Sequence, residues 1–212
     1  MFHGIIENNN QMKRLILFFL FNFLLISFSF TQVRYKVDEG STMTITGTST
    51  LHDWTSKVNE INGDFVFKNE IQDKKLPKSG SIVEQIKMVI PILSIESPRG
   101  STMDKKTYNA LKSEENPNMI FEVKSDNIER IIDKSTEKFL LKVTGDLTVA
   151  GYTKEIKIDL EGQILPSGQL KFLGAYPIDM VEYEIEPPSA MFGQIKTGKD
   201  VTIDFDLLLS EN

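Results

Sequence analysis

The chain contains no cysteine, only two histidines and one tryptophan in 212 residues. Without cysteine there is no disulfide framework, no thiol nucleophile, no thiolate metal site and no attachment point for a lipoprotein acyl group. Because His3 precedes an apolar leader, a triad or a histidine-rich metal centre would have to be built on His52 alone. Zinc sites of the common kind need three or four converging Cys, His or carboxylate ligands, so neither a metal nor a catalytic group is expected. Basic residues never form a block interleaved with aromatics, which argues against nucleic acid. The acidic side chains lie on the polar faces of alternating segments, where a solvated surface accounts for them, and no glycine-rich phosphate loop occurs.

Long apolar runs are also scarce, with one exception. Lys13-Arg14 is followed by residues 15–28, interrupted only by Asn22 and Ser27. This run is shorter than the roughly 20 residues that span a bilayer, and small and polar residues follow it, so it reads as a secretion signal cleaved near Thr31-Gln32. The expected organisation is a signal peptide over 1–31, with Met12 as an alternative start, and one domain over 32–212. An uncleaved anchor is the competing reading. About 180 residues suffice for one domain with a real core. The formal charge of −6 becomes about −7 once Glu7, Lys13 and Arg14 are removed. A periplasmic or secreted protein with no stable transmembrane segment after processing is expected.

What the remainder does contain is alternation. Phe139, Leu141, Val143, Leu147 and Val149 share one side of an extended segment, as do Ile156, Ile158, Leu160 and Ile164 after a turn at Ala150-Gly151-Tyr152-Thr153. Period-2 patterning marks strands with one buried face. Leu170, Phe172, Tyr176 and Ile178 follow the Pro166-Ser167-Gly168 turn, and Val201, Ile203, Phe205, Leu207 and Leu209 end the chain. Earlier strands are read from Met43 and Ile45, residues 51–58, Phe65 and Phe67, Ile82 through Ile92, and Met119, Phe121 and Val123. Eight or nine strands predict an all-β fold, a closed antiparallel β-barrel of about eight strands. One short helix is expected near residues 101–112, with Ser101 as N-cap and Asp104 three residues on. Met103, Ala110 and Leu111 should pack over a barrel end, leaving Lys105, Lys106 and Lys112 in solvent. Residues 186–193, with Pro187-Pro188, read as a loop across a barrel end.

An eight-stranded barrel is just wide enough either to be filled by side chains or to hold one small ligand, and periodicity does not separate the two. The inward set that would line a cavity is Phe65, Phe67, Met88, Ile90, Phe121, Phe139, Phe172, Tyr176 and Phe205, with Trp54 beside them. His52-Asp53-Trp54 reads either as a polar handle at a pocket mouth or as a core Trp with a hydrogen-bonded His beneath a loop, and the second reading is favoured because Trp contributes buried area first.

The order of motifs resembles the YceI-like family, lipocalin-like periplasmic barrels associated with polyisoprenoid or other lipid binding. The residues that carry the resemblance are Tyr35-Lys36-Val37-Asp38, the Gly47-Thr48-Ser49-Thr50-Leu51-His52-Asp53-Trp54 strand, Ile92-Leu93-Ser94-Ile95-Glu96-Ser97, Pro117-Asn118-Met119-Ile120-Phe121, and the hairpin Gly145-Asp146-Leu147-Thr148-Val149-Ala150-Gly151-Tyr152-Thr153-Lys154. Many relatives carry Arg-Asp-x-His-Leu and a Phe-Phe pair where this chain has Met103-Asp104-Lys105-Lys106-Thr107-Tyr108-Asn109-Ala110-Leu111. The resemblance implies a long apolar tunnel inside the barrel. The expected function is a non-enzymatic exported carrier, without cofactor, for a long apolar ligand that is polyisoprenoid, quinone-like or fatty-acyl. The alternatives are a partner-binding or structural barrel with a filled core and, behind it, an enzyme on the same scaffold. An apolar lipid-like small molecule is the expected partner, and a second copy of the chain is left open.

Overall fold

The computed structural model describes residues 33–68, 71, 76–190 and 192–212. The apolar leader, the expected signal over 1–31 and the cleavage point near Thr31-Gln32 lie outside the described residues.

Strict alternation over the chain produces strands almost throughout: β1 Val33–Val37, β2 Thr42–Ser49, β3 Trp54–Val58, β4 Asn62–Phe67, β5 Val83–Pro91, β6 Ile95–Glu96, β7 Asn118–Asp133, β8 Lys138–Val149, β9 Tyr152–Ile164, β10 Leu170–Asp179, β11 Ser189–Ala190 and β12 Ile195–Glu211. A single α-helix among the described residues, α1 Ser101–Ala110, separates β6 from β7. The hydrogen-bonded circuit runs β1-β4-β5-β7-β8-β9-β10-β12 and returns to β1, every pair antiparallel, which closes an eight-stranded barrel and leaves the main sheet without an open edge at β1.

The extra short strands are continuations of wall strands. Along one edge of β12, Asp206 to Val201 pairs with Thr42 to Gly47 of β2, while Leu209 to Glu211 pairs with Val37 to Tyr35 of β1. β1 and β2 are thus two halves of one wall strand, interrupted at residues 38–41. Similarly, β3 pairs with β2 and β4 with β1, and β6 pairs with β3 while β5 pairs with β4. The first interruption is held by Asp38, whose carboxylate accepts from Gln169 Nε2 at 2.6 Å and from the Ser210 hydroxyl. The β8–β9 turn is tighter than expected: Val149 pairs with Tyr152, and Ala150 and Gly151 both take positive φ, 51° and 87°. That two-residue geometry needs left-handed backbone at both positions, which glycine adopts at no steric cost.

Three expectations are corrected. Residues 51–58 were expected to be one strand, but Leu51 is 67% exposed in a bend, because Ser49 Oγ donates to the His52 carbonyl at 2.7 Å and turns the chain before Trp54. β7 continues ten residues past Val123 to Asp133. The bulge at Val123/Ser125 inverts its inward parity, so the fully buried Ile128 is out of phase with Met119 and Phe121, and the next one, at Ile128/Arg130, inverts it again. The helix is capped by Gly100, at φ 82°, and ends at Ala110; Asp104 reaches back to accept from Ser97 N at 2.7 Å.

One barrel end is closed. We call it the base, where β4 ends, β5 and β8 begin, and β9 turns into β10. Phe67, Ile71, Ile82, Ile128, Phe139, Leu170 and Leu209 are all at most 1% exposed there. Phe67 stacks on Phe172 at 5.8 Å, and Tyr35 and Phe139 meet the pair edge-on at 5.5 and 6.3 Å. Outside this cluster Asp126 accepts from Ile82 N, Val83 N and Ser81 Oγ at 2.7, 3.2 and 2.6 Å, and Lys68 Nζ donates to the same hydroxyl at 2.9 Å.

Candidate binding cavity

Above the base the inward side chains leave space between them. A lower chamber of about 90 Å³ is walled by Phe65, Phe67, Met88, Ile90, Phe121, Phe172, Tyr176 and Phe205, with Met43, Leu141, Val143, Ile156, Ile158 and further aliphatics between them. An upper chamber of about 220 Å³ lies towards the opposite end, which we call the mouth. Met119 and Ile203 belong to the walls of both, so the two spaces lie end to end along the barrel. One water needs only ~10–15 Å³ of such space, and water enters a cavity only where polar partners await it. Among the described residues that line the lower chamber, Tyr176 alone has a polar side chain.

β10 gives the length of the combined space. Phe172 and Tyr176 face the lower chamber, Ile178 faces the upper one, and Met180 follows just beyond the strand. The six-residue rise from Phe172 to Ile178, at ~3.3 Å each and tilted by roughly 40°, covers about 15 Å along the axis.

Of the residues singled out in the sequence, Trp54 lines the upper chamber and Phe139 lines neither. Phe139 belongs to the closed base, where its ring covers Gly162 on the next strand, leaving 2.4 Å to where a Cβ would stand. The same device recurs around the wall, with Trp54 over Gly47, Phe121 over Gly145 and Phe205 over Gly174. Each ring lies against the wall in the space of a missing side chain instead of crossing the interior. Glycines inside otherwise alternating strands were the sequence signal for this, and patterning by hydrophobicity alone passes over it.

The mouth is built differently. Helix α1 covers it, yet no residue of the helix is buried. It is held at one side, by the Asp104–Ser97 contact and by Tyr108, whose hydroxyl donates to the Leu93 carbonyl at 3.1 Å. Met103, Lys106, Thr107, Ala110 and Leu111 face the upper chamber. Lys105 stays exposed as expected; Lys106 does not, because a helical repeat of 3.6 residues places it on the stripe of Met103 and Ala110. Lys112 lies over the Tyr152 ring at 4.9 Å. Opposite the helix stand His52, whose Nδ1 donates to the Asp53 carbonyl at 2.7 Å, and Trp54, whose Nε1 donates to the Thr48 carbonyl at 3.0 Å. Ile185, Pro188 and Ser189 of the proline loop complete the wall. Beside the mouth, burial first and then Tyr176 and Glu182 push the Tyr183 hydroxyl up to about 12. That hydroxyl has no hydrogen-bond partner among the described residues.

No group of three or more His, Asp or Glu side chains among the described residues is arranged to hold a metal ion. No helix among them is long and apolar enough to cross a membrane.

Comparison with known proteins follows the same outline. The domain from Saccharophagus degradans described as polyisoprenoid binding and implicated in plant cell wall breakdown superposes with a TM-score of 0.63 at 14% identity, covering 85% of this chain and 99% of its own. BcnA of Burkholderia cenocepacia gives 0.59 at 15% identity, covering 82% of this chain and 99% of BcnA. The Campylobacter jejuni YCEI protein gives 0.53 at 18%, with 74% and 84% covered. No curated protein matches the sequence. At these identities the structures establish a shared barrel. The family follows from the sequence itself, since the model of the YceI-like domain matches residues 35–209, nearly the whole barrel. The chain belongs to the YceI-like domain family.

Proposed function

We propose that this protein is an exported carrier that holds the chain of one long apolar lipid, polyisoprenoid, quinone-like or fatty-acyl, non-covalently along the barrel axis. The observation that carries the reading is the pair of chambers that share Met119 and Ile203 as wall residues, apolar at depth and polar only towards the mouth. The ring contacts among the described residues fall at the base, where Phe67 stacks on Phe172, whereas Trp54, Phe121 and Phe205 above it lie over glycines. Burial of each methylene is worth about 0.8 kcal/mol, so a dozen carbons contribute roughly 10 kcal/mol before the 4–15 kcal/mol cost of association. Binding of useful strength therefore needs most of the length to be occupied, and selectivity falls on chain length and shape. Trp54, Phe65, Phe67, Met88, Ile90, Phe121, Phe172, Tyr176 and Phe205 are the residues proposed to contact the chain.

Export is part of the proposal. It rests on Lys13-Arg14 and the apolar run behind them, and on membership of a family of generally periplasmic proteins. The polyisoprenoid class is favoured by the Saccharophagus relative described as binding it.

Native mass spectrometry of the purified protein, followed by organic extraction, tests the carrier reading. A bound mass that partitions into solvent as a lipid is the expected result. A well-folded, delipidated sample that takes up no polyprenyl, quinone or fatty-acyl probe overturns it.

A further inference from the structure

From the upper chamber we infer that the ligand of this particular chain carries an anionic head, a carboxylate or phosphate, received at the mouth by Lys106 and Arg99. The inference rests on the carrier reading and goes past it to the chemical class of the head group.

Placement of Lys106 is the first observation. A lysine on a short surface helix ordinarily occupies the outward face, as Lys105 does here. Lys106 instead sits three residues after Met103 and four before Ala110, on the stripe that faces the chamber, where the helical pattern calls for an apolar side chain. Lys106 lines both this chamber and the shallow recess outside it, so it stands at the boundary between the cavity and solvent. Arg99, on the turn that leads into the helix, lines the same chamber.

The second observation is that neither cation has been given a partner. Among the described residues, neither side chain takes part in an ion pair or a side-chain hydrogen bond, although ion pairs decorate the rest of the barrel surface, from Arg34–Asp64 to Lys171–Asp206. Lys106 also borders a shallow outer recess containing Glu184 and Glu186 and pairs with neither. The described lining of the two chambers includes no aspartate or glutamate, in a chain with 30 acidic against 24 basic residues. Seen from inside, the molecule is apolar at depth and cationic at its opening.

These features fit one ligand geometry. The chain of an amphiphile fills the lower chamber and passes Met119, and its head stops at the rim under α1. There the Arg99 guanidinium and the Lys106 ammonium donate to its oxygens, with Ser97 and Thr107 hydroxyls close by. Charge-assisted hydrogen bonds are roughly twice as strong as neutral ones. A neutral head such as an alcohol or primary amide can accept a hydrogen bond but compensates neither charge, so it gains less at the mouth than an anion does.

The test compares delipidated protein binding hexadecanoate, hexadecanol and hexadecanamide, and farnesyl phosphate against farnesol, in the wild type and in Lys106→Gln, Arg99→Gln and the outward control Lys105→Gln. The anionic member of each set is expected to bind roughly tenfold more tightly than its neutral counterparts. Lys106→Gln and Arg99→Gln should each remove most of that preference without weakening the neutral ligands, and Lys105→Gln should change nothing. Inorganic phosphate alone is expected not to displace the lipid; displacement at millimolar concentration would mean that a free anion is the ligand and would overturn the lipid-head assignment. Equal affinity for anionic and neutral members, or equal losses in both on substitution, overturns the inference and leaves the carrier reading intact. Failure of every chain to bind overturns the carrier reading itself.

Discussion

The two ends of this barrel are made from the same alternating strands and differ in what closes them. The base is plugged by three phenylalanines and a tyrosine in contact, by five aliphatics at most 1% exposed, and by Asp126 tying three donors across the β5–β7 neighbourhood. The mouth is covered by a helix with no buried side chain, and of the six exposed large apolar residues among those described, Leu51, Leu93, Met103, Val181 and Phe192 belong to the helix and its connections while Ile132 lies at the base end of β7. Stability concentrates where packing is complete, and access is left where packing is thin. Stability and binding are therefore separable by mutation, and the following experiments test that separation in order of expected effect.

The largest effect belongs to the base. Phe139→Ala removes a fully buried ring and leaves Gly162 bare, for an expected loss of about 3–5 kcal/mol in urea unfolding. Any folded remainder should bind lipid with unchanged chain-length preference, since Phe139 lines neither chamber. A shifted preference would mean that base and cavity are one structural unit.

Next comes the complementary change inside the cavity. Met88→Trp adds volume to the lower chamber, where space is present, so stability should fall by less than about 1–3 kcal/mol while uptake of long chains drops more than tenfold. Severe destabilisation with binding retained would show that the chamber closes in solution.

Asp126→Ala, back at the base, strands two backbone N–H groups and leaves the Ser81 hydroxyl only the Val83 carbonyl at 3.1 Å, for an expected cost of about 1–3 kcal/mol by thermal or chemical denaturation. Tyr183→Phe, near the mouth, should do the reverse. Removing a buried hydroxyl without a partner is expected to leave stability unchanged or raise it by about 1 kcal/mol.

The smallest effect is a pH dependence. Asp38 is held below the ordinary 3.8 by hydrogen bonds from Ser210 and Gln169, Asp133 by those from Ser135 and Thr136, and Asp179 by Lys199. A carboxyl whose folded pKa is depressed adds stability that is fully present above its unfolded value and is lost as pH falls through the folded one. Melting temperature should therefore be flat with respect to these groups above about pH 5 and decline below pH 4. All three are half-buried at the barrel surface, where solvent still screens them, so the decline should be shallow. Asp38→Asn should remove its share of the slope, at the seam where β1 meets β12.

Much of this molecule was legible before any coordinates. Period-2 patterning gave the β class, the number of wall strands and the inward identity of Phe65, Phe121, Phe172 and Phe205, because alternation is set by the backbone pleat and needs no tertiary information. Gly-Asp-Leu-Thr around the β8–β9 hairpin and the other motifs pointed to the family later matched over residues 35–209. Where the pattern was misread, a local backbone event had altered its phase: the bulge at Val123/Ser125 that inverts β7 before Ile128, and the Ser49–His52 contact that turns the chain at Leu51.

Sequence by itself thus determined which face of each strand is apolar, and so that a barrel of about this size would form. Only the tertiary structure decided whether its interior is filled. A phenylalanine facing inward reads the same whether its ring crosses the axis or lies over a glycine of the next strand, and the pairings of Trp54 with Gly47 and Phe205 with Gly174 exist only once register is set. Lys106 is the same case on the helix. Its charge is plain in the sequence, but that it faces a chamber was fixed by where Asp104 and Tyr108 anchor the helix over the mouth, because a side chain's environment depends on what the rest of the chain places around it.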